Sequence, residues 1–133
     1  MYDIITQSEF LPTVTESKYV IIHFFHKDFE RCKILGQHLN KIAPKYVPVL
    51  IRSIDSEKTP FFVGKLGITT LPTLVMFKDG VAIDRLVGFT DLGSIDTFTT
   101  EALEQVGLTK GIACSPIGSR VYWYIALYDL YYC

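Results

Sequence analysis

The sequence predicts an α/β fold, a three-layer sandwich in which a mixed central β-sheet carries helices on both faces. Three observations predict this class. Segments with strand-like and helix-like patterns alternate along most of the chain. Residues 19–25 form a nearly unbroken apolar run, which is typical of a central strand covered on both faces. Residues 78–80, Lys-Asp-Gly, have the chemistry of a tight turn, so the last two strands should form an antiparallel hairpin.

The composition fits one globular domain. The chain has 133 residues, of which 49% are hydrophobic and 20% charged, as in ordinary globular domains. Thirteen basic and fourteen acidic residues without a Lys/Arg block disfavour nucleic-acid binding. No segment reaches the roughly 20 apolar residues of a membrane span, and the N-terminus lacks the pattern of a signal peptide. Three widely spaced cysteines are not a secreted disulfide framework, so we expect a reducing cytosolic or nuclear setting.

The first elements are a short strand and a capped helix. Residues 2–5 are mostly apolar, and the Thr-Gln-Ser-Glu sequence at 6–9 is a capping box. The helix that it opens should run to about Ser17. A kink or an early break is expected at Pro12, because proline lacks the amide that a helix interior requires.

The central elements alternate between helix and strand. Apolar residues at helical spacing predict a helix over residues 30–44. Residues 47–54 form a second apolar strand. Thr59-Pro60 places proline at the first position of a short helix that ends at Gly67. Residues 73–77 are the third buried strand.

A hairpin and a closing helix complete the domain. Residues 81–87 should return antiparallel to the third strand. Ser94 is expected to cap a last amphipathic helix. Its apolar side is formed by Ile95, Phe98, Ala102, Leu103 and Val106. The predicted order is β-α-β-α-β-α-β-β-α over residues 1–106.

Residues 107–133 do not fit this domain. Gly111, Pro116 and Gly118 give a linker-like composition, and an aromatic segment at 121–133 follows. Two interpretations stay open: a tail that is foreign to the domain or disordered, and a hook that binds a partner or a second copy. We favour the first, since exposed aromatic patches are unusual on a monomer.

The turn after the strand at 19–25 is the most informative segment for function. Cys32 stands near the helix start, and Phe29 stands three residues before it. Two cysteines at these positions could form and release an internal disulfide, but one thiol cannot. Cys114 and Cys133 lie in the tail. The turn therefore argues against two-step thiol exchange.

Cys32 itself has two interpretations. A helix start favours thiolate, and Arg31, Lys33 and His26 add positive charge, so the thiol could form mixed disulfides alone. The other interpretation is a small apolar side chain packed under the helix start, as buried free cysteine usually is. His23 is open in the same way, as a base or pH switch, or as a buried neutral imidazole.

Five segments carry a family resemblance. They are residues 17–25, the Phe-Glu-Arg-Cys-Lys turn at 29–33, residues 71–74, residues 77–80 and the Gly-Phe-Thr-Asp-Leu-Gly loop at 88–93. Together they resemble the thioredoxin domain of the phosducin-like family, in its phosducin-like protein 3 branch. The turn and the loop are fairly specific to that branch, and the similarity covers about residues 3–106. It implies a thioredoxin-like fold in which Pro72 is cis and faces the turn.

The resemblance implies protein binding without redox catalysis, in the cytoplasm and without a cofactor. Members of the family bind the cytosolic chaperonin and modulate the folding of its clients, chiefly tubulin and actin. A helical segment usually precedes their domain. Because this chain begins at the first strand, we expect that segment to be missing from it. Metal binding is not predicted, since His26, His38 and Cys32 match no zinc spacing.

In thioredoxin-like folds the turn, the cis proline and the following loop present a rim to extended ligands. The candidate protein-binding residues are therefore Phe29, Arg31, Cys32, Leu71, Pro72, Phe89, Thr90 and Asp91. Two alternatives stay open. One is a monothiol redox protein that uses Cys32. The other is a spliceosomal thioredoxin-like scaffold, which shares the single cysteine but lacks the loop at 88–93.

Overall fold

The computed structural model describes residues 4–44, 49–89 and 92–109, with side chains as far as residue 105. The strands are β1 (Ile4–Ile5), β2 (Tyr19–Phe25), β3 (Val49–Asp55), β4 (Thr73–Lys78) and β5 (Val81–Val87). The helices are α1 (Phe10–Glu16), α2 (Glu30–Ile42), α3 (Pro60–Leu66) and α4 (Thr100–Thr109). Short 3-10 turns precede α1 at Gln7–Glu9 and α3 at Ser56–Lys58. The predicted order of strands and helices is confirmed.

The strands form one mixed sheet in the order β1-β3-β2-β4-β5. β1 and β2 each pair in parallel with β3, whereas β4 pairs antiparallel with both β2 and β5. In the middle of β2, His23 stands opposite Ser53 of β3 and Leu74 of β4. The centre of the sheet therefore holds one histidine among mostly apolar neighbours.

Helices cover the sheet on both faces and give the domain two hydrophobic cores. On one face Leu35 of α2 and Leu103 of α4 pack against the sheet. On the other face lie Phe10 of α1 and Leu66 of α3. Burial of a fully covered side chain such as Phe10 or Leu35 contributes about 2 kcal/mol. Residues of β2 enter both cores, which is why that strand is apolar at nearly every position.

The N-terminal helix differs from its prediction at Pro12. The capping box forms as expected, with the Thr6 amide donating to Glu9 Oε1 at 3.2 Å. The α-helix then begins only at Phe10, so Pro12 lies in its first turn, where a missing amide breaks no intrahelical bond. The helix continues to Glu16, and the predicted early break at Pro12 is wrong.

The last helix begins later than predicted. Ser94 adopts a left-handed conformation with φ of 58°, and its amide donates to the Phe89 carbonyl at 2.8 Å. The helix starts at Thr100, where the Ala102 amide donates to Thr99 Oγ1 at 3.0 Å. Ser94 is therefore not the cap. The core contact of Phe98, ahead of the helix, holds this segment as an irregular loop.

β5 forms one edge of the sheet and carries exposed apolar side chains at Val81 and Ile83. Beside them, Asp84 Oδ1 accepts a hydrogen bond from the Arg85 amide at 2.7 Å. The pairing of β5 with β4 is also irregular next to Met76. The middle of this edge is thus interrupted, because a carboxylate occupies one of its backbone donors.

Within the described residues, no helix is long and apolar enough to cross a membrane. α4 extends to Thr109, past the predicted domain boundary at 106. The predictions for the rest of the tail, for the start of the strand at 47–54 and for Thr90 and Asp91 lie outside the described residues.

Candidate functional site

The turn between β2 and α2 presents Phe29 at the surface. Phe29 has extended backbone angles just before the helix, and its side chain is 46% exposed. Its amide donates to the His26 carbonyl at 3.1 Å, and its carbonyl accepts from the Cys32 amide at 3.2 Å. The aromatic ring is therefore exposed to solvent, while hydrogen bonds of the Phe29 amide and carbonyl hold its backbone.

His26 is the residue that holds this turn in place. Its ring lies 4.9 Å from the Phe29 ring, and its Nε2 is 2.7 Å from Glu57 Oε1. Its Nδ1 accepts a hydrogen bond from the Asp28 amide at 3.1 Å. Because Nδ1 accepts, Nε2 carries the hydrogen in the neutral ring and donates to Glu57. This bond lowers the pKa of the Glu57 carboxyl.

Arg31 connects the helix start to the loop that begins at Gly88. Its Nε lies 2.8 Å from Asp96 Oδ1, and its guanidinium carbon lies 5.0 Å from the centre of the Phe89 ring. Phe89 is itself buried and meets the Phe98 ring edge-on at 4.8 Å. Phe89 is therefore a support beneath Arg31 and not a surface residue, whereas the Arg31 side chain is about half exposed.

The Leu71-Pro72 peptide bond is cis, as the resemblance implied. The buried Pro72 accepts a hydrogen bond through its carbonyl from the Gly88 amide at 2.8 Å. Leu71 is half-buried, and Val87, one residue before Gly88, is partly exposed. Arg31 thus connects the turn to the loop, and the Gly88–Pro72 hydrogen bond connects the loop to the cis proline.

Four side chains of this region reach the surface, and we call them the Phe29 rim: Phe29, Arg31, Leu71 and Val87. Three other candidate residues lie below it: Cys32, Pro72 and Phe89. Sequence reasoning missed Val87, because an apolar residue in a strand does not show which strand lies at an edge. It also missed the pairing of His26 with Glu57, since these residues are 31 positions apart.

Cys32 is a packed residue of α2. Its side chain is 4% exposed, and burial raises the pKa of the thiol, although a backbone hydrogen bond from His26 opposes that rise. A protonated, covered thiol is a poor nucleophile. The geometry favours the packing interpretation of Cys32.

His23 is buried in the centre of the sheet beneath this turn. Burial lowers the pKa of its imidazole to about 3, so the ring is neutral at physiological pH. Its ring lies 5.9 Å from the Phe25 ring. The interpretation as a buried neutral imidazole is favoured over a pH switch in the physiological range. Across the part of the chain that the structure describes, no three His, Cys, Asp or Glu residues are grouped to hold a metal ion.

Comparisons with known proteins agree with this geometry. A family model described as Thioredoxin matches residues 2–101. Thioredoxin domain-containing protein PLP3A of Arabidopsis thaliana is 52% identical over 111 residues, which are 84% of this chain and 48% of that protein. Phosducin-like protein 3 of Dictyostelium discoideum is 46% identical over 99 residues, which are 74% of this chain and 54% of that protein. The chain therefore spans about half the length of these curated relatives.

The solution structure of the oxidised thioredoxin of Plasmodium falciparum has the same fold. It superposes with a TM-score of 0.69 at 24% sequence identity and covers 85% of this chain and 100% of that one. The predicted thioredoxin-like fold is confirmed. At this identity the likeness concerns the fold and carries no statement about activity.

Proposed function

Because this chain belongs to the thioredoxin family, with a domain of the phosducin-like protein 3 type, we propose that it is a protein-binding domain without redox catalysis. We further propose that it is a cofactor of the cytosolic chaperonin in the folding of tubulin and actin. The observation that carries the proposal is that the turn exposes an aromatic ring and buries its cysteine. An exposed aromatic ring occupies position 29, and the thiol at position 32 is buried.

Two features of the turn support the absence of thiol chemistry. Disulfide exchange requires a thiolate that a partner can reach and a second thiol that resolves the mixed disulfide. Cys32 is buried with a raised pKa, and it is the one free cysteine among the described residues. The monothiol alternative needs the opposite, a lowered pKa and an accessible sulfur.

The surroundings of Phe29 support protein binding. Binding energy at interfaces concentrates in a few aromatic or arginine anchors that are surrounded by polar contacts. Phe29 has this arrangement, with the His26–Glu57 pair on one side and the Arg31–Asp96 pair on the helix that follows. The His26 ring, 4.9 Å from the Phe29 ring, holds Phe29 in place before a partner binds, which reduces the entropy lost on binding.

The chaperonin as partner, the cytoplasmic location and the absence of nucleic-acid, membrane and cofactor binding belong to the proposal. They rest on membership of the phosducin-like family, and the chain spans about half the length of its relatives. What we assign to this chain is the contribution of its thioredoxin-like domain. Nothing in the described residues favours the spliceosomal alternative.

Binding to purified cytosolic chaperonin tests the proposal. We expect the chain to bind, and Phe29→Ser to weaken binding by about tenfold or more, since it removes the anchor. Phe61→Ser is the matched control, because Phe61 is 60% exposed on α3 and lies outside the Phe29 rim. Absence of binding, or equal weakening by both variants, would overturn the proposal.

Thiol assays separate this function from the monothiol alternative. We expect no reduction of insulin disulfides and slow alkylation of Cys32 by iodoacetamide at neutral pH, because the thiol is buried and protonated. The same reagent in urea, which exposes all thiols, gives the reference rate. Alkylation of native Cys32 at the reference rate would favour the monothiol protein.

A further inference from the structure

Two adjoining cavities lie along the β1 edge of the sheet, near the carboxyl ends of its parallel strands. The larger, of about 480 Å³, lies between α2 and the last residues of β2 and β3. The smaller, of about 350 Å³, lies beside β1 and the end of β3. Ile4 and Phe25 line both cavities, so the two adjoin, and we treat them together as one groove.

The side chains that line this groove carry an excess of positive charge. Lys27 and Lys33 line the larger cavity, and Lys58 lines the smaller one. We call the groove the lysine groove after these three residues. The carboxylate among the lining side chains, Asp55, accepts a hydrogen bond from the Glu57 amide at 3.0 Å. The lining thus includes three lysines and one carboxylate, which already accepts a hydrogen bond.

Two acidic residues beside the groove, Glu30 and Glu57, interact with its lysines. Glu57 accepts a hydrogen bond from His26 at 2.7 Å, and this bond, together with the weaker influence of Lys27 and Lys58, lowers the pKa of its carboxyl. Glu30 approaches Lys33 only to 3.9 Å. An exposed pair at that distance contributes little. Three lysines against one aspartate leave the lining with an excess of two positive charges, and a carboxylate of a partner can replace the exposed Glu30 and Glu57 beside these lysines.

The floor of the lysine groove is apolar. Ile4 is 68% exposed although it belongs to a strand of the sheet, and Phe25 is half-buried beside it. An exposed isoleucine next to an aromatic ring offers a place for one apolar side chain. Cations around an apolar floor are complementary to a segment that has carboxylates on either side of a hydrophobic residue.

We infer that the lysine groove binds an acidic segment of a protein partner, with carboxylates on the three lysines and one apolar side chain on Ile4 and Phe25. The inference rests on the proposed function, since it takes the chain to be a protein-binding domain. It adds a second contact surface, because none of the four residues of the Phe29 rim lines either cavity.

A nucleic acid is the rival anionic ligand. Single strands bind along continuous cationic tracks with exposed aromatic faces on which bases stack. The lysine groove has three separated ammonium groups around an aliphatic and half-buried floor, in a chain of net charge -1. The acidic peptide fits these features better.

Fluorescence anisotropy at low ionic strength tests the inference. The probe is a fluorescein-labelled peptide, Glu-Asp-Glu-Leu-Asp-Glu, which we expect to bind. The double variant Lys33→Glu with Lys58→Glu should weaken this binding by about tenfold or more, and added salt should weaken binding to the wild-type chain. The matched control is Lys41→Glu with Lys65→Glu, which makes the same charge change at exposed positions outside the groove. It should change the affinity by less than about twofold.

Three results would overturn the inference. They are equal weakening by the two double variants, equal binding of a Gln-Asn-Gln-Leu-Asn-Gln peptide, and tighter binding of an oligothymidylate strand. Phe29→Ser should leave the affinity for the acidic peptide unchanged. If the wild-type chain binds the acidic peptide but not the chaperonin, that result would count against the proposed function and not against the lysine groove.

Discussion

Phe29 and Cys32 stand one helical turn apart and differ in the properties that decide between recognition and chemistry. The Phe29 ring is about half exposed and rests against His26. The Cys32 thiol is buried, and its pKa is raised. In a reactive turn both positions would carry sulfur. Here the strand, turn and helix are kept. Position 29 is exposed, and position 32 packs in the core.

The same substitution at both positions tests this contrast most strongly. Cys32→Asp places a carboxylate in the core and should lower the free energy of unfolding by about 3 kcal/mol or more. Phe29→Asp places it in solvent, where the change should stay within about 0.5 kcal/mol. Urea unfolding followed by circular dichroism measures both.

Cys32→Ala is the milder control for this comparison. It removes the sulfur without adding charge and should cost about 1 kcal/mol, as small cavities in a core do. Similar losses for Cys32→Asp and Phe29→Asp would contradict the assignment of one position to the core and the other to the surface.

The burial of His23, in contrast to the exposure of Phe29, predicts that the stability of the domain depends on pH. Burial holds the pKa of His23 at about 3, below the ordinary 6.5. The unfolded chain therefore takes up a proton below about pH 6.5 while the folded chain does not. The contribution of the neutral His23 to the free energy of unfolding is fully present above that pH and is lost as the pH falls toward 3. Between pH 6.5 and 5 we expect a loss of about 1–2 kcal/mol.

Urea unfolding at several pH values measures this loss, with His23→Gln as the comparison. The variant should be less stable at neutral pH but should show a flatter dependence between pH 6.5 and 5. A smaller slope should remain, because burial also lowers the pKa of His38. An unchanged slope in the variant would assign the acid sensitivity to other groups.

The smallest expected effect concerns the support of the helix start. Arg31→Met removes an exposed ion pair with Asp96 and the contact of the guanidinium with Phe89. Together these should be worth about 0.5–1 kcal/mol of unfolding free energy. Lys33→Met is the control, since the 3.9 Å approach of Lys33 to Glu30 should contribute almost nothing. Equal effects would show that Arg31 lends no particular support.

The sequence predicted the fold wherever burial leaves a local pattern. The apolar run of β2 indicated a strand covered on both faces, and its residues do enter both cores. Pro60 and Gly67 marked the ends of α3, where Gly67 adopts the left-handed conformation with φ of 66°. The sequence did not show which of Phe29 and Cys32 is buried, because residues three apart at a helix start lie on the same side and have no periodic pattern between them.

What the sequence could not show depends on contacts between distant residues. The bond of His26 to Glu57 joins the turn to the segment after β3, and neither residue has a local pattern that indicates it. Ser94 has the chemistry of a cap, but the packing of Phe98 moves the helix start to Thr100. Phe89 was expected at the surface, but it packs edge-on against Phe98 within the core beneath α2 and α4.

Asp84 has a consequence for the domain at high concentration. An edge strand of seven residues with exposed valine and isoleucine is a template on which further chains can add and polymerise. An added strand that pairs with the Arg85 amide would first have to displace the Asp84 carboxylate from it. We therefore expect Asp84 to disfavour the addition of a further strand at this edge of the five-stranded sheet.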